Sequence, residues 1–305
     1  MYEKLVLVSR KTRLQQLVER FNSRAQARFY IEHAGGDFGD YEQEDATYRA
    51  SLELIQRTLD FGVKVHHIER AIVPTFLFAP TDLVIAVGQD GLVANVAKYV
   101  GAQPIVGVNP DPSRWDGVLL PFAPRRTRTA VANVLEHRAR IREITLAEAR
   151  LNDGQRLLGF NDLFIGTRSH VSASYSIRIA DRHEIHSSSG VIVSTGAGST
   201  DWLSSVFHMM AGLATFTGGT SGPAPKLAWD DPRLVYIVRE PYLSRASQVS
   251  IVAGMIDRDS LVIESRMPTG GVIFSDGVER DALDFNSGAI ATIAAAAQRT
   301  RLVVN

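Results

Sequence analysis

Three short stretches of this chain carry residue types that could act on one ligand. The first is Gly88-Gln-Asp-Gly91, directly after the apolar run Leu83-Val-Ile-Ala-Val87. A strand feeding a glycine turn and then a helix aims backbone N–H groups and a helix N-terminus at one point, which suits a phosphate. Asp90 is then either a carboxylate with work to do there or an ordinary surface-turn aspartate. The second is Ser194-Thr-Gly-Ala-Gly-Ser-Thr200, between a predicted strand and a predicted helix. The hydroxyls of Ser194, Thr195, Ser199 and Thr200, with Gly196 and Gly198 between them, can meet ribose and phosphate. Ser199 or Thr200 can equally cap the helix. The stretch lacks the third glycine of a dinucleotide fingerprint and the lysine of a Walker loop. The third is Asn161-Asp162, a carboxamide and a carboxylate at a strand entry. The pair could grip a diol or a base edge, or simply make a turn.

Other chemistries find little support. His183-Glu-Ile-His186 lacks the spacing that puts two imidazoles on one helical face, and it reads as a solvated hairpin between strands. His66 and His67 lie in a predicted strand, so their rings point to opposite faces. No metal site is expected, and no Gly-x-Ser-x-Gly elbow is present.

The elements that would position these residues change character along the chain. A strand at Leu5–Val8, a helix from Thr12 to about Ser23, an amphipathic helix over Asp45–Phe61 closed by Gly62, and strands at 63–68, 83–87 and 104–108 alternate. A helix over Leu92–Val100 separates the last two strands. Strand, helix, strand implies a parallel, doubly wound sheet, an α/β domain. A helix is predicted over Leu135–Arg150. Beyond Leu157 short strands dominate, at 163–165, 175–179, 190–194, 234–238, 249–252, 261–264 and 271–274. Turn residues at Asp153-Gly154, Thr269-Gly-Gly271 and Asp276-Gly277 point to an antiparallel, all-β domain. One helix, about Thr200–Gly212, interrupts it, and the Gly/Thr/Ser/Pro-rich stretch 215–225 is a loop.

The totals limit the partners. Lys+Arg and Asp+Glu both number 33 in 305 residues, so no global basic field is available for nucleic acid or an anionic membrane. There are no cysteines, which excludes disulfides and thiolate chemistry. No apolar run reaches the length of a membrane span, and the N-terminus reads as a strand rather than a signal segment. The expected location is cytoplasmic.

Taken in order, the glycine–Asp turn, the Asn–acid pair and the hydroxyl–glycine loop resemble the NAD kinase family, which carries Gly-Gly-Asp-Gly-Thr, then Asn-Glu, then a Thr/Gly/Ser loop. The likeness is closest to the mitochondrial-type branch and its bacterial relatives. It rests on Gly107-Val-Asn-Pro-Asp-Pro112 with Asp116-Gly117, Asn161-Asp-Leu-Phe-Ile-Gly166, Ala173-Ser-Tyr175, Ser188-Ser-Gly190, and Thr195-Gly-Ala-Gly-Ser199 with Trp202. The resemblance covers most of the chain, from about Leu5 to Val304. It implies an α/β nucleotide-binding domain at 1–125 with a return segment at about 289–305, a β-rich NAD-binding domain at 126–288, and an active site in the cleft between them. It implies ATP and Mg2+ as the reagents that phosphorylate the 2′-hydroxyl of the adenosine ribose of NAD, in a homodimer or higher homo-oligomer. Asp90 would be catalytic. Gly88, Gly91 and Asn109 would lie at the phosphates. Asn161, Asp162, Ser189, Thr195, Gly196, Gly198, Ser199, Thr200 and Asp276 would hold NAD.

Four positions depart from the family pattern. Gln89 replaces a glycine, which would strain the backbone if φ there were positive. Leu92 replaces a threonine, Asp162 a longer glutamate, and Asp201 adds a negative charge beside the hydroxyl loop. These departures keep two alternatives open: a catalytically weakened nucleotide-binding protein of the same fold, and a lipid or sugar kinase of the wider superfamily.

Overall fold

The computed structural model describes residues 2–305 and falls into two compact units, 2–142 with Arg301–Asn305, and Glu143–Thr300. The first unit contains β1 (Lys4–Ser9), α1 (Arg13–Phe21), α2 (Arg24–His33), α3 (Phe38–Thr58), β2 (Lys64–Glu69), β3 (Asp82–Val87), α4 (Asp90–Ala97), β4 (Pro104–Val108) and α5 (Thr127–Leu135). Its strands are parallel in the order β2-β1-β3-β4. Val6, Val8, Val84 and Ala86 face one side of the sheet. Leu5, Leu7, Leu83 and Ile85 face the other, against Tyr48 and Ile55 of α3 and Val131 of α5. Burial on both faces explains why these strands read as unbroken apolar runs. The order also places a topological switch between β1 and β3, the point beyond whose carboxyl ends open α/β sheets bind ligands. Both Gly88 and Arg10 lie just past those ends.

The second unit begins within β5 (Arg140–Leu151). It continues with β6 (Arg156–Gly159), β7 (Asp162–Thr167), β8 (Ala173–Ile179), β9 (Arg182–Ser188), β10 (Val191–Ser194), α6 (Trp202–Phe216), β11 (Leu234–Val238), β12 (Ala253–Ile256), β13 (Leu261–Ser265), β14 (Gly271–Ser275), β15 (Val278–Asp284) and β16 (Ile290–Val304). An antiparallel sheet β12-β11-β10-β7-β14-β15 packs Leu163, Ile165, Val191 and Val193 against Tyr175, Ile177, Leu261 and Ile263 of the strands β13 and β8. Leu203 and Val206 of α6 cover its other face, on Phe164, Ile192 and Ile237. The last strand, β16, pairs antiparallel with β13, and its Arg301 and Leu302 then pair parallel with Pro104 and Ile105 in the first unit.

The α/β plus all-β architecture is as expected, with differences in detail. The helix expected over Leu135–Arg150 is instead the end of α5 followed by β5. Its Leu, Ala, Glu and Arg residues favour a helix in isolation. Pairing with β6 and burial of Ile144, Leu146, Ala147 and Ala149 make it a strand. The strand expected at 249–252 lies four residues later, as β12. The first unit extends past residue 125 because Ala130, Val131 and Val134 of α5 pack on its core. The hairpin at His183–His186 is not solvated beyond His183. Glu184 and His186 are buried, with His186 Nε2 at 2.9 Å from Glu184 Oε2. Burial alone would raise the Glu184 carboxyl. Hydrogen bonds from the Ser250 hydroxyl, the Ile251 and Ser250 amides and His186 hold it instead at about 2.

Candidate active site

In the first unit β3 ends at Val87, and Gly88 donates its N–H to Val108 O at 3.1 Å, tying the turn to β4. Gln89 is the N-cap of α4 with φ −108°, ordinary extended backbone, so no glycine is needed there and the residue is unstrained. Gly88 is demanded by packing: a Cβ would come within 2.9 Å of Leu92 Cδ2 and 3.4 Å of Arg10 Cδ. A Cβ at Gly91 would meet nothing within 4 Å, so protein packing does not account for that glycine. Leu92, in place of a hydroxyl residue, is 2% exposed and is part of the core.

Asp90 begins α4, half-buried, and turns its carboxylate to the loop that follows β4. Oδ1 accepts the Leu119 N–H at 2.7 Å and Oδ2 accepts the Val118 N–H at 3.3 Å. A carboxylate offers about four lone-pair sites, so each oxygen keeps room for a second partner. The loop owes its shape to Asn109. That side chain donates Nδ2–H to Trp115 O at 2.8 Å and accepts the Asp111 N–H on Oδ1 at 3.0 Å. Gly117, at φ +64°, makes the bend that presents the two amides, and a Cβ there would lie 2.6 Å from Asn109 Nδ2. Asn109 therefore sits one step behind Asp90, shaping the loop that holds it.

In the second unit Asp276 plays a comparable part. With Gly277 it forms the β14–β15 turn, both residues at positive φ, the backbone a two-residue hairpin requires. Its carboxylate accepts three consecutive amides: Phe160 N at 3.0 Å, Asn161 N at 2.6 Å and Asp162 N at 3.3 Å. Thr195 locks the same segment from the other side, donating its hydroxyl to Phe160 O at 2.6 Å and its N–H to Asn161 O at 2.9 Å. Gly196 and Gly198 allow backbone to meet backbone. A Cβ on Gly198 would lie 2.0 Å from Asn161 O, and one on Gly196 1.9 Å from Ala228 O. The Ser199 hydroxyl turns inward to Gly196 O at 2.8 Å. Of the residues expected at NAD, then, Thr195, Gly196, Gly198, Ser199 and Asp276 build the frame. The side chains of Asn161, Ser189 and Thr200 make no hydrogen bond among the described residues and remain available.

Asp162 is 6% exposed. Burial raises its carboxyl to about 7, with the neighbouring charges of Asp276 and Asp201 pushing the same way and the Asp276 N–H pulling back. Near neutral pH it is poised between hydrogen-bond donor and anion.

The spacing of motifs did not reveal Arg10, the residue after β1. Its Cδ lies against Gly88, its guanidinium sits 5.7 Å from the Tyr48 ring and 5.5 Å from the Trp115 ring, and its Nη2 is 3.1 Å from Glu44. The signal that could have found it is position: a cation at the carboxyl end of the strand beside the switch point.

No protein-family model and no curated protein matches the sequence. Solved structures do match in shape. An NAD kinase from Archaeoglobus fulgidus in complex with ATP aligns at a TM-score of 0.58 and 15% identity, over 99% of this chain and 94% of that one. Yeast NADH kinase complexed with NADH aligns at 0.60 and 16% identity, over 99% of this chain and 83% of that one. At such identities the likeness establishes architecture: the chain has the two-domain fold of the NAD kinases.

Proposed function

We propose that the protein is an NAD kinase, transferring the terminal phosphoryl group of ATP to the 2′-hydroxyl of the adenosine ribose of NAD. The observation that carries the reading is Asp90. It is held by two loop amides at the start of a helix, beside a glycine whose open side no protein atom fills, in a fold shared with kinases crystallised with ATP and with NADH. In the reaction Asp90 accepts the hydroxyl proton. The ribose oxygen forms a bond to the terminal phosphorus, the bond from that phosphorus to the bridging oxygen breaks, and ADP leaves with the electron pair. The proton passes from Asp90 to water. The N–H groups of the first turn of α4 face developing negative charge. Asn161, Asp162, Ser189 and Thr200 supply hydrogen bonds to the nucleoside.

Among the described residues no three His, Asp or Glu side chains converge on a metal position. Magnesium is commonly held by one or two carboxylates together with substrate phosphates. It would arrive with the triphosphate as part of the substrate, and no step is assigned to a protein-bound ion. The branch likeness and a homo-oligomeric state belong to the same proposal.

The test is to mix purified protein with NAD, ATP and Mg2+ and to assay NADP. Wild type should turn over, and Asp90→Asn should do so at least a hundredfold more slowly. A silent wild type that still binds NAD saturably would favour the second reading, a non-catalytic nucleotide-binding protein, which the buried Leu92 in place of a hydroxyl residue supports.

A further inference from the structure

A cavity of about 510 Å³ opens in the first unit between α5 and the end of β16. Its floor is Phe122, Ala130 and Val303, which belong to the core that α3 and α5 share. That core contains no residue of α4, the helix that begins with Asp90. The walls are fixed by backbone. His137, at φ +57°, ends α5, and Asn133 O accepts the N–H groups of Arg138 at 2.7 Å and Ala139 at 3.0 Å. This turns residues 138–140 back along the cavity. Arg140 Nη1 donates to Asn305 O at 3.2 Å, and Asn305 Nδ2 donates to Pro121 O at 3.0 Å, which closes the rim.

The polar groups converge from one helix face. Arg126, Thr129, Ala130 and Asn133 all line the cavity, at the i, i+3, i+4 and i+7 spacing of neighbours on a helix. The side chains of Arg126, Thr129 and Asn133 make no hydrogen bond among the described residues. Three arginines and no Asp or Glu side chain line the space. Two of the three are engaged, Arg138 by Glu136 and Arg140 by Asn305 O. One unengaged guanidinium over an apolar floor suits a singly charged, planar carboxylate, which its fork meets with two parallel hydrogen bonds. A phosphate dianion would find only that one cation. An exposed ion pair alone contributes little, so the occupant must also carry an apolar body that the floor takes out of water.

We propose that this cavity is a binding site for a small monocarboxylate with an apolar body, in which Arg126 takes the carboxylate and Thr129 and Asn133 lie beside it as further hydrogen-bonding groups. The site is separate from the Asp90 turn, and the proposal does not depend on the kinase reading.

The experiment is isothermal titration of the full chain with 2-naphthoate, and with 2-naphthalenemethanol and acetate, which each lack one half of the chemistry. Wild type should bind 2-naphthoate saturably and the other two roughly tenfold or more weakly. Arg126→Gln should weaken 2-naphthoate about five- to tenfold, and Thr129→Glu, which sets a carboxylate beside the ligand's own, should weaken it by a similar factor. Arg125→Gln removes an exposed cation that does not line the cavity and should leave the affinity unchanged. All three positions are exposed, so the variants should melt with wild type. Saturating NAD or ATP should not displace 2-naphthoate. The proposal is overturned if wild type fails to bind 2-naphthoate, if Arg126→Gln binds it as well as wild type, or if Arg125→Gln loses as much as Arg126→Gln. Displacement by NAD or ATP also overturns it, because the carboxylate would then lie at the nucleotide site.

Discussion

Asp90 and Asp276 are both aspartates followed by glycine, and both accept backbone amides, yet they are held differently. Asp276 takes three consecutive N–H groups and closes a hairpin turn at positive φ. Asp90 takes two, from a loop brought to it by Asn109 and Gly117, and stands at the first turn of a helix. A carboxylate that closes a hairpin turn and ties three consecutive amides is a fastener. One left partly unfilled, at the carboxyl end of a parallel strand, can still take a proton or a ligand. The comparison teaches that Asp-Gly by itself says little, and that the count and source of the amides decide the role.

The sharpest way to break this comparison is to remove each carboxylate without changing its size. Asp90→Asn should lower NADP formation by roughly 10²- to 10⁴-fold, the usual share of a positioned base, with about 1 kcal/mol of stability lost from the single loop amide whose acceptor becomes an NH2 group. A loss of stability comparable to that of an Asp276 variant would make Asp90 a fastener too. Asp276→Asn should do the reverse. Asparagine tolerates the left-handed backbone, so the change isolates the three hydrogen bonds, and about 2–4 kcal/mol of stability should go in denaturant unfolding. If NADP formation collapses in Asp276→Asn while stability holds, the two aspartates have been assigned the wrong way round.

Asp162 offers a finer test through pH. Its folded value, raised from 3.8 to about 7, lies above that of the unfolded chain. The proton is then held more tightly in the native state. The associated stability is complete below pH about 4 and is lost as pH rises through about 7. Asp162→Asn should show no such decline, so the two unfolding curves should separate between those limits, with the variant the more stable above pH 7. Parallel curves would mean the carboxyl ionises as freely folded as unfolded. The smallest effect is expected from Gln89→Gly. With φ at −108° the wild-type residue is unstrained, and the variant should lose roughly 0.5–1 kcal/mol from the greater freedom of the unfolded chain. A gain in stability would contradict the backbone reading.

Much of this was legible in the chain. Leu83–Val87 and Pro104–Val108 are apolar throughout because both faces are covered, and that alone announces a parallel sheet. The order of the three polar motifs carried the likeness that the solved kinases bear out in fold. Other features were hidden for physical reasons. Residues 140–151 have helix-forming side chains, and only long-range pairing makes them a strand. Glu184 and His186 look like hairpin polar residues, but both are buried, and Glu184 is held by His186 and by Ser250 and Ile251, sixty-six and sixty-seven positions away. Thr195 and Ser199 were legible as hydroxyls, not as hydroxyls spent on the backbone. Arg10 belongs to no motif, and its place against Gly88 comes from which strands are neighbours.

The course of β16 has a consequence for synthesis. Arg301 pairs with Pro104 and reaches Ala102 O across 199 positions of chain. At about 5–20 residues per second, the ribosome needs roughly 10–40 s to deliver that partner after β4 has emerged. Throughout that interval the nascent α/β unit carries β4 as an unguarded edge, open to mispairing. Residues 301–304 then act as its closing seam, so the substitution Leu302→Pro, which breaks that pairing, should send the protein into aggregates while leaving every motif of the candidate site in place.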